Sequence, residues 1–517
     1  MRILLISLNR ETEPFTAAPL GLALVAGALE RAGHEVRALD LLFSGRPEDE
    51  IREAVKLHRP EMVGLSLRNI ESSTEFLLPA YRDVAALLKE VCAAPVVVGG
   101  PGFSIMPEQV LDYLGLDFGI AGEGEQAAVE FARAVADGTG PAAVSGVCYR
   151  TDGVISSTPK NNIEDLSANP APAWGHFPVK EYDMVGVQSK RGCSFSCVYC
   201  TYPSLEGRRM RLIDPVAVAD GIASLRDTHG IGSFYFVDNV FNNPKPHAEE
   251  VCRELAARGP GLEWAALVTP AGLDAGFARS MRDAGCASVE IGADSLSARA
   301  LSGLGKPFSP ENVADAVRNC RDAGLMSMLF LILGGPGEDE DTLQETFEAL
   351  DRISPDKVFA VAGIRIYPGA PLAKTAVEEG VIGRDDNLLM PRFYVSEKLG
   401  ERLYDLAGGY FRKHPEWICY EARGVMSGGA AKPAASAAPG WGRDAQDCLD
   451  LVISEVPRLI RPMAKKAAVR KAGLLAAERG LALVTPAEVR DAFISETPGP
   501  FRASMKNSLV KFGLLDG

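Results

Sequence analysis

The sequence lacks a hydrophobic run long enough to cross a membrane. A spanning helix needs about 18 or more apolar residues in succession, and the longest apolar stretch, over residues 325–333, is typical of a buried strand. Residues 1–8 enter a strand pattern directly, without the cleavage-site context of a signal peptide. These absences favour a cytoplasmic protein with no membrane partner.

Cysteine and positive charge are also sparse. The 517 residues include 10 cysteines, seven of them scattered singly, which fits a reducing compartment better than a disulfide framework. The formal net charge is −14, which argues against nucleic acid or an anionic membrane as the main partner. A hydrophobic content of 47% is enough for two to four domains.

The other three cysteines stand together, at positions Cys193, Cys197 and Cys200, in the pattern C-x3-C-x2-C. Three thiols so close cannot all pair as disulfides, but they can converge on a metal centre. A tetrahedral zinc site or a [4Fe–4S] cluster takes four ligands, so three thiolates leave one position open for chemistry. Three core cysteines, or a zinc knuckle with a distant fourth ligand, are the alternatives. No second pair of Cys or His follows to favour zinc.

This spacing, with Tyr199 just before the last cysteine, resembles the radical S-adenosylmethionine (SAM) enzymes. The resemblance implies that Cys193, Cys197 and Cys200 hold a [4Fe–4S] cluster whose open iron is chelated by SAM. It also implies that Tyr199 lies near the adenine. A reduced cluster would cleave SAM and generate a 5′-deoxyadenosyl radical.

Residues 1 to about 140 alternate short apolar runs with helical periods. This alternation predicts an open, doubly wound, Rossmann-like α/β sheet that is parallel and covered on both faces. Strands are predicted over 2–8, 35–41, 62–67, 95–98 and 118–121, and helices over 20–32, 47–57, 79–91, 107–113 and 125–136. Ligands of such sheets bind at the carboxyl ends of the strands, near a topological switch point.

Glycines follow the fourth and fifth of these strands, and Gly21 lies near the end of the loop after the first. Glycine lets a backbone approach a bulky ligand closely. No G-x-G-x-x-G follows the first strand, which disfavours a dinucleotide site. Three segments resemble the cobalamin-binding domain of a large radical SAM subfamily: Pro19-Leu20-Gly21, Gly99-Gly100-Pro101 and Gly122-Glu123-Gly124-Glu125. Glycines that serve only turns are the alternative. The resemblance implies a set of cobalamin-binding residues: Thr16, Pro19, Gly21, Ser66, Arg68, Asn69, Gly99, Gly100, Gly122, Glu123 and Gly124.

The first loop, residues 9–18, departs from many cobalamin domains because it contains no histidine to replace the cofactor's own base on cobalt. His34 and His58 are expected on the surface. We therefore expect no histidine ligand to cobalt and a lower face covered by Arg68 or Asn69. An arginine has no lone pair to donate, so it would discourage coordination there. Alternatively, Arg68 pairs with Glu71 or with a corrin amide.

After a connector with a small hairpin over 147–156 and Trp174 packed on a domain surface, alternation resumes at residue 184. It predicts six strands over 186–189, 233–237, 264–269, 288–291, 326–333 and 359–366, with helices over 215–228, 248–257, 274–283, 310–323 and 341–352. Six βα units match the partial (β/α)6, TIM-like barrel of radical SAM enzymes. Functional residues belong at the carboxyl ends of its strands.

Several polar and glycine residues fall at those strand ends. By resemblance, Asp238 and Asn239 take the place of a Gly-Gly-Glu segment that holds the amino group of SAM. The candidates to bind the ribose and carboxylate of SAM are Glu290, Asp294 and Ser295, and we expect Asp294 to face the site. Gly335 belongs to a glycine-rich segment near adenine, and Glu338 alternatively caps the helix at Asp341. Arg365 and Tyr367 face substrate or cobalamin, or are buried barrel residues.

The predicted organisation is a cobalamin-binding domain (1–144), a linker (145–185), a partial barrel (186–390) and a mostly helical C-terminal domain (391–517). The last is expected to cap the barrel mouth, with a flexible loop over 427–442. The resemblance implies a cobalamin-dependent radical SAM methyltransferase that acts on an unactivated carbon of a small molecule and takes electrons from a flavodoxin- or ferredoxin-type donor. The alternatives are a non-methylating rearrangement, cyclisation or redox enzyme, and a corrinoid- or zinc-binding module without catalysis.

Overall fold

The computed structural model describes residues 1–12, 15–72, 75–259, 261–414, 416–422, 439–497 and 502–515. Most of the predicted flexible loop, residues 427–438, lies outside the described residues. The chain forms an α/β unit, a second and larger α/β unit, and a helical segment at the carboxyl end. Each unit has a sheet or helix layer that buries its apolar face on a neighbour.

The first sheet has seven strands, in the order β2-β1-β3-β4-β5-β6-β7. They are β1 (Arg2–Ser7), β2 (Glu35–Asp40), β3 (Met62–Ser66), β4 (Val96–Gly99), β5 (Phe118–Ile120), β6 (Val147–Thr151) and β7 (Val154–Ser157). The first five are parallel. Because β1 lies between β2 and β3, the chain reverses direction across the sheet there. The topological switch point is therefore at the carboxyl ends of β1 and β3.

Helices cover both faces of this sheet, which confirms the doubly wound class. They are α1 (Leu20–Arg31), α2 (Pro47–His58), α3 (Leu78–Val91), α4 (Pro101–Ile105), α5 (Pro107–Leu114) and α6 (Gly124–Asp137). Helices α1 and α6 pack on one face, and α2, α3 and α5 pack on the other. Strand β1 has an almost continuous buried run, as expected of a strand that is covered on both sides.

The predicted hairpin is present, but it does not belong to a linker. Strand β6 pairs antiparallel with β5, and β7 pairs with β6, so the first unit extends to Ser157 rather than ending at 144. Trp174 is buried in the cluster on the α1 face, where its ring lies edge-on to Phe177. The connector thus packs on a domain surface, as the sequence predicted.

The second unit contains all six predicted strands and one more. They are β8 (Gly186–Val187), β11 (Ser233–Phe236), β12 (Glu263–Val268), β13 (Cys286–Asp294), β14 (Met326–Leu333), β15 (Lys357–Ala362) and β18 (Ile418–Glu421). All are parallel, in the order β8-β11-β12-β13-β14-β15-β18. Short antiparallel pairs flank them: β9 (Lys190–Arg191) with β10 (Arg211–Leu212), and β16 (Ile364–Arg365) with β17 (Phe393–Tyr394).

The helices that accompany these strands are α7 (Tyr202–Leu205), α8 (Pro215–His229), α9 (Lys245–Ala257), α10 (Ala275–Asp283), α11 (Ala298–Gly303), α12 (Pro310–Ala323), α13 (Glu340–Ile353), α14 (Pro371–Glu378) and α15 (Arg402–Phe411). The boundary predicted at 390 is wrong, because β18 joins the barrel sheet and α15 packs in the barrel core. Four residues of β18 carry too short a pattern to be detected, and only its pairing with β15 defines it as a strand.

The C-terminal segment contains α16 (Arg443–Ser454), α17 (Arg461–Glu478), α18 (Pro486–Glu496) and α19 (Arg502–Lys511), with the short pair β19 (Gly440–Trp441) and β20 (Leu483–Val484). Its apolar residues pack on Met326 and Met328 at the start of β14. Glu263, the first residue of β12, accepts hydrogen bonds from the backbone of Arg458 and Leu459. These contacts lie at the strand-starting end of the barrel, opposite the mouth that the segment was expected to cap.

Replacing Gly100 by alanine should destabilise the first unit. Gly100 follows β4 with φ of +95°, and an added Cβ would lie 2.5 Å from the carbonyl oxygen of Leu67. We expect a loss of about 2–3 kcal/mol in the free energy of unfolding, measured by denaturant titration. Gly33→Ala is the matched control: its φ is +86°, but an added Cβ would meet nothing within 4 Å. Equal losses in the two variants would contradict the role of this close approach.

Candidate active site between the two sheets

The carboxyl-terminal edge of the first sheet packs against the carboxyl-terminal end of the barrel. One buried apolar cluster contains Leu67 and Phe103 from the first unit together with Leu304 and Ile364 from the second. Helix α4, which follows β4, is in contact with α7, which follows the cysteine loop. The loops at the switch point therefore face the cysteine loop.

The cysteine loop begins where β9 ends, and its neighbours fix its shape. Gly192 has φ of +97°, and a Cβ there would lie 2.2 Å from the carbonyl oxygen of Arg209, so only glycine fits. The backbone N–H of Cys193 donates to the carbonyl of Gly207 (3.1 Å), and that of Val198 donates to Leu304 (3.1 Å). These bonds anchor the loop to the segments on either side of it.

All three thiols of the loop are free. Burial raises the pKa of Cys197, and it raises the pKa of Cys200 to about 11; the charges of the neighbouring thiolates add to both effects. Among the described residues, no three Cys, His, Asp or Glu side chains converge as ion ligands would. A buried set of soft sulfur donors that repel one another as thiolates is nevertheless suited to a cationic iron centre, which binds the deprotonated form.

Asp238 and Asn239 support the base of the loop. The Asp238 carboxylate accepts hydrogen bonds from the Ser189 backbone (2.8 Å) and from the buried Lys190 ammonium (3.2 Å). Its side chain is therefore fully engaged within the protein, which differs from the expected role at the amino group of SAM.

The amide of Asn239 donates to Glu206 (2.8 Å), whose same oxygen accepts from the backbone of Gly192 (2.9 Å). The other side-chain atom, Oδ1 of Asn239, is buried and lacks a partner among the described residues. It thus remains free to accept a hydrogen bond from an ammonium group. Sequence reasoning missed Glu206, which no motif flags.

Asp294 is the centre of a second buried cluster beside the cysteines. It has φ of +60°. The hydroxyl of Tyr199 donates to its carboxylate (2.5 Å), and the ammonium of Lys306 lies 2.6 Å away. Lys306 also interacts with Cys197, and these anionic neighbours raise its pKa although burial alone would lower it. Asp294 thus lies in one cluster with Tyr199 and Lys306, and Lys306 was not anticipated from the sequence.

Ser295 and Glu338 have structural partners. The hydroxyl of Ser295 lies 3.0 Å from that of Thr346, away from the cysteine loop. Glu338 is fully buried and accepts hydrogen bonds from the backbone of Gly334 (2.5 Å) and Gly335 (2.9 Å). Burial raises its pKa to about 7, although those two bonds favour the carboxylate. Asp339, not Glu338, caps the following helix.

In the first unit, the loop after β3 contacts both the barrel and the loop after β1. Glu71 accepts hydrogen bonds from Arg365 (2.7 Å) and Tyr367 (2.7 Å), both from the barrel, so Glu71 is not the partner of Arg68. Arg68 is exposed and forms no hydrogen bond or ion pair with another described residue. Asn69 donates to Glu11 (2.7 Å) in the loop after β1.

The remaining predicted residues of the first unit lie at the same edge. Thr16 bonds to Asp183 (2.9 Å), Pro19 precedes α1, and Gly21, in its first turn, faces open space. Ser66 and Gly99 end β3 and β4, and the backbone of Gly122 donates to Ser104 (2.9 Å). Gly124, which begins α6, packs close to Val25.

His34 and His58 lie at the opposite edge of this sheet, where β2 and β3 begin. His58 was expected on the surface, but its side chain is only 7% exposed. Its Nε2 lies 3.1 Å from the carbonyl oxygen of Ile3, so the ring fills the space beside β1.

Glu123 and Glu125 face the barrel and form a buried charge network. Glu125 binds Arg191 (2.5 Å), and Glu123 binds Arg211 (2.6 Å) and lies 3.5 Å from Arg191. All four side chains are at most 7% exposed. Because Arg191 immediately precedes Gly192 and Cys193, this network joins the loop after β5 to the start of the cysteine loop. Glu123 thus differs from its predicted role, because its carboxylate is committed to Arg211.

Replacing Glu125 by glutamine should destabilise the protein strongly. The buried Arg191 guanidinium would lose its shortest anionic contact, and breaking a buried pair from one side costs about 3 kcal/mol or more. We expect a loss of this size in the free energy of unfolding by denaturant titration. Glu130→Gln, on the same helix α6, removes a carboxylate whose hydrogen bond with Gln126 is exposed to solvent, and it should change the free energy of unfolding by less than about 0.5 kcal/mol. A neutral result for Glu125→Gln would show that Glu123 alone compensates Arg191.

Comparison with known proteins matches each of the two sheets to a protein family. Residues 7–132 match the B12 binding domain, and residues 187–350 match the radical SAM superfamily. The tryptophan 2-C-methyltransferase of Streptomyces laurentii is 26% identical over 73% of this chain and 74% of its own length. The anaerobic magnesium-protoporphyrin IX monomethyl ester cyclase of Rubrivivax gelatinosus is 29% identical, over 69% of this chain and 66% of its own.

The fold has a counterpart among solved structures. The radical SAM methyltransferase TsrM from Kitasatospora setae, with tryptophan and a SAM analogue bound, superposes with a TM-score of 0.70 at 23% identity. The match covers 80% of this chain and 89% of that one. With a B12-binding sheet followed by a radical SAM barrel, the chain belongs to the cobalamin-dependent radical SAM enzymes, whose cofactors are a [4Fe–4S] cluster, SAM and cobalamin.

Proposed function

We propose that the chain is a methyltransferase that adds a methyl group to an unactivated carbon of a small molecule. The observation that carries this proposal is the packing of the B12-binding edge against the cysteine loop, through the contact of α4 with α7 and the shared apolar cluster. That packing supports an arrangement in which the two cofactors face each other across one substrate. Methyl transfer to carbon by a radical route needs both cofactors at one substrate. The relative from Streptomyces laurentii, a tryptophan methyltransferase by name, supports the same reaction class.

Cys193, Cys197 and Cys200 are proposed as the ligands of the cluster. Tyr199 and Asp294 border the place of SAM, and the unpartnered Oδ1 of Asn239 would accept from its amino group. When bound, the cluster and SAM supply a carbon-centred radical, and cobalamin supplies a carrier for the methyl group. The protein's own task is to orient these groups and to exclude water from between them.

Cobalamin is proposed to lie along the carboxyl-terminal edge of the first sheet. The backbones of Gly99, Gly100 and Gly122 form its border, and Arg68 is the charged side chain left free of other described residues there. Arginine has no lone pair to donate, so Arg68 would cover a face of the corrinoid without coordinating cobalt. The carboxylate of Glu123 and the hydroxyl of Thr16 are bound elsewhere, so their contribution would come from the backbone.

Two partners complete the proposal. The substrate is a small molecule, and an external donor of the flavodoxin or ferredoxin type reduces the cluster. In the described part of the chain, no helix has the length and apolar character to span a bilayer. The negative net charge, −14, disfavours nucleic acid as the substrate.

A second candidate is a cyclisation without methyl transfer. It is favoured by the relative from Rubrivivax gelatinosus, which is a cyclase by name and is 29% identical to this chain. The two reactions share their cofactors and differ in whether a methyl group reaches the product.

The cysteine assignment predicts the outcome of metal loading. After anaerobic reconstitution, Cys193→Ala, Cys197→Ala and Cys200→Ala should each lose most of the iron that the unaltered protein binds, which is about four atoms per chain. Iron content and the EPR spectrum of the reduced protein measure this loss. Cys92→Ala, a free cysteine outside the loop, should retain the full amount. Zinc in place of iron, or full iron in a loop variant, would refute the assignment.

Labelled SAM decides between methylation and cyclisation. The reconstituted enzyme is incubated anaerobically with reductant, cobalamin, a metabolite extract of the source cells and SAM deuterated in its methyl group. Mass spectrometry should reveal one product that gains the labelled methyl, together with 5′-deoxyadenosine. Formation of 5′-deoxyadenosine with a new unlabelled product would instead establish the second candidate. The Cys197→Ala protein serves as the control and should form neither compound.

A further inference from the structure

A large cavity lies inside the barrel, between its sheet and the C-terminal helices. Its volume is about 630 Å³, which is in the range of small-molecule sites. Its apolar walls come from the barrel sheet and from the C-terminal segment. The sheet contributes Met326, Phe359 and Ile418, and α17, α18 and α19 contribute Met463, Phe493 and Met505. Methionine and aromatic side chains are suited to bind flat aromatic or branched aliphatic groups of a ligand.

The cavity extends along the inner face of the barrel sheet as far as Tyr420, in the direction of the carboxyl ends of the strands. Along the inner face of the barrel, Phe359 is level with Ile418, and Val361 is level with Tyr420 and Ile332. Two residues of a strand span about 7 Å, so the Phe359 layer is one such step below the Val361 layer. Ile332 belongs to the apolar cluster that includes Tyr199. Val361 is 37% exposed although it points into the barrel, so open space continues above the cavity.

The charges around the cavity leave an excess of positive charge. The lining contains four basic side chains, Arg282, Lys357, Lys466 and Arg470, and three acidic ones, Glu416, Glu455 and Glu496. Glu455 binds Lys511 (3.1 Å), and Glu496 lies 3.7 Å from Lys357. Arg470, which lines the cavity, has no ion pair with any described residue. Lys466, also at the cavity, donates to the carbonyl of Thr12 (3.0 Å) in the loop after β1. A ligand with one anionic group would balance this set.

We propose that this cavity holds the body of the substrate, and that the substrate is an aromatic or branched aliphatic molecule with an anionic group. The inference rests on the proposed function, because it assigns the cavity to the same active site. The apolar body lies on Phe359 and Met463, the anionic group binds Arg470, and the opposite end reaches the layer below the cysteine loop. The C-terminal helices therefore select the substrate from the floor of the barrel.

The binding part of the proposal is tested without turnover. The probes are 8-anilinonaphthalene-1-sulfonate and its uncharged analogue N-phenyl-1-naphthylamine, added to the reconstituted holoenzyme in anaerobic equilibrium dialysis. We expect saturable binding of both and tighter binding of the sulfonate. Ala467→Trp, which fills the cavity, should abolish both. Leu474, about two turns further along the same helix α17, is 53% exposed and does not line the cavity, so Leu474→Trp should abolish neither.

Arg470→Gln should weaken the binding of the sulfonate by about 3- to 10-fold and leave the affinity for the uncharged probe unchanged. Three results would overturn the proposal: no saturable binding, binding that survives Ala467→Trp, or an equal effect of Arg470→Gln on both probes. The EPR spectrum of the reduced cluster with SAM tests the connection to the active site. The sulfonate should alter this spectrum in the unaltered protein but not in Ala467→Trp.

An unaltered spectrum with the sulfonate bound would make the cavity a separate site and refute its role in holding the substrate. Neither result depends on whether a methyl group is transferred. The failure of this inference is therefore distinguishable from the failure of the proposed function.

Discussion

The site depends on the ion pairs that cross between the two sheets. Glu123 ends the loop after β5 and Glu125 lies in the first turn of α6, whereas Arg191 and Arg211 flank the cysteine loop. Two arginines and two carboxylates balance in charge, so they can be buried together, and neither unit could bury its pair alone without a large desolvation cost. A planar guanidinium held by carboxylates also has a fixed orientation. Docking the units therefore fixes the residue that leads into Gly192 and Cys193.

The same rule of local charge balance holds along the rest of the cleft. Asp238 is neutralised by Lys190, Asp294 by Lys306 and Glu71 by Arg365, and each pair is at most 10% exposed. These pairs occupy residues that a motif would assign to cofactors. Their carboxylates hold loops in place, so contacts with the cofactors would fall to backbone groups, to the thiols and to polar atoms left without partners among the described residues, such as Oδ1 of Asn239.

The partial barrel leaves its interior open, and the two ends are closed differently. At the carboxyl-terminal end, the first unit and the cysteine loop close the barrel through an apolar cluster. At the other end, α16 to α19 pack on Met326 and Met328 and leave a cavity beside Phe359. A barrel with a separate floor can vary that floor without disturbing the cofactor end. If the cavity holds the substrate as proposed, this arrangement would separate the choice of substrate from the radical chemistry.

The sequence by itself determined the alternation of strands and helices, the carboxyl-end loops and the cysteine motif, because these are local patterns of hydrophobicity, glycine and spacing. It did not reveal strand β18, whose four residues become a strand only by pairing with β15. Nor did it reveal that Glu123 and Glu125 face arginines more than 60 residues away, or that Lys306 and Glu206 support the site. Such contacts join distant segments, and no local pattern encodes them. Only the tertiary structure decided which polar residues hold the fold together and which remain free for a ligand.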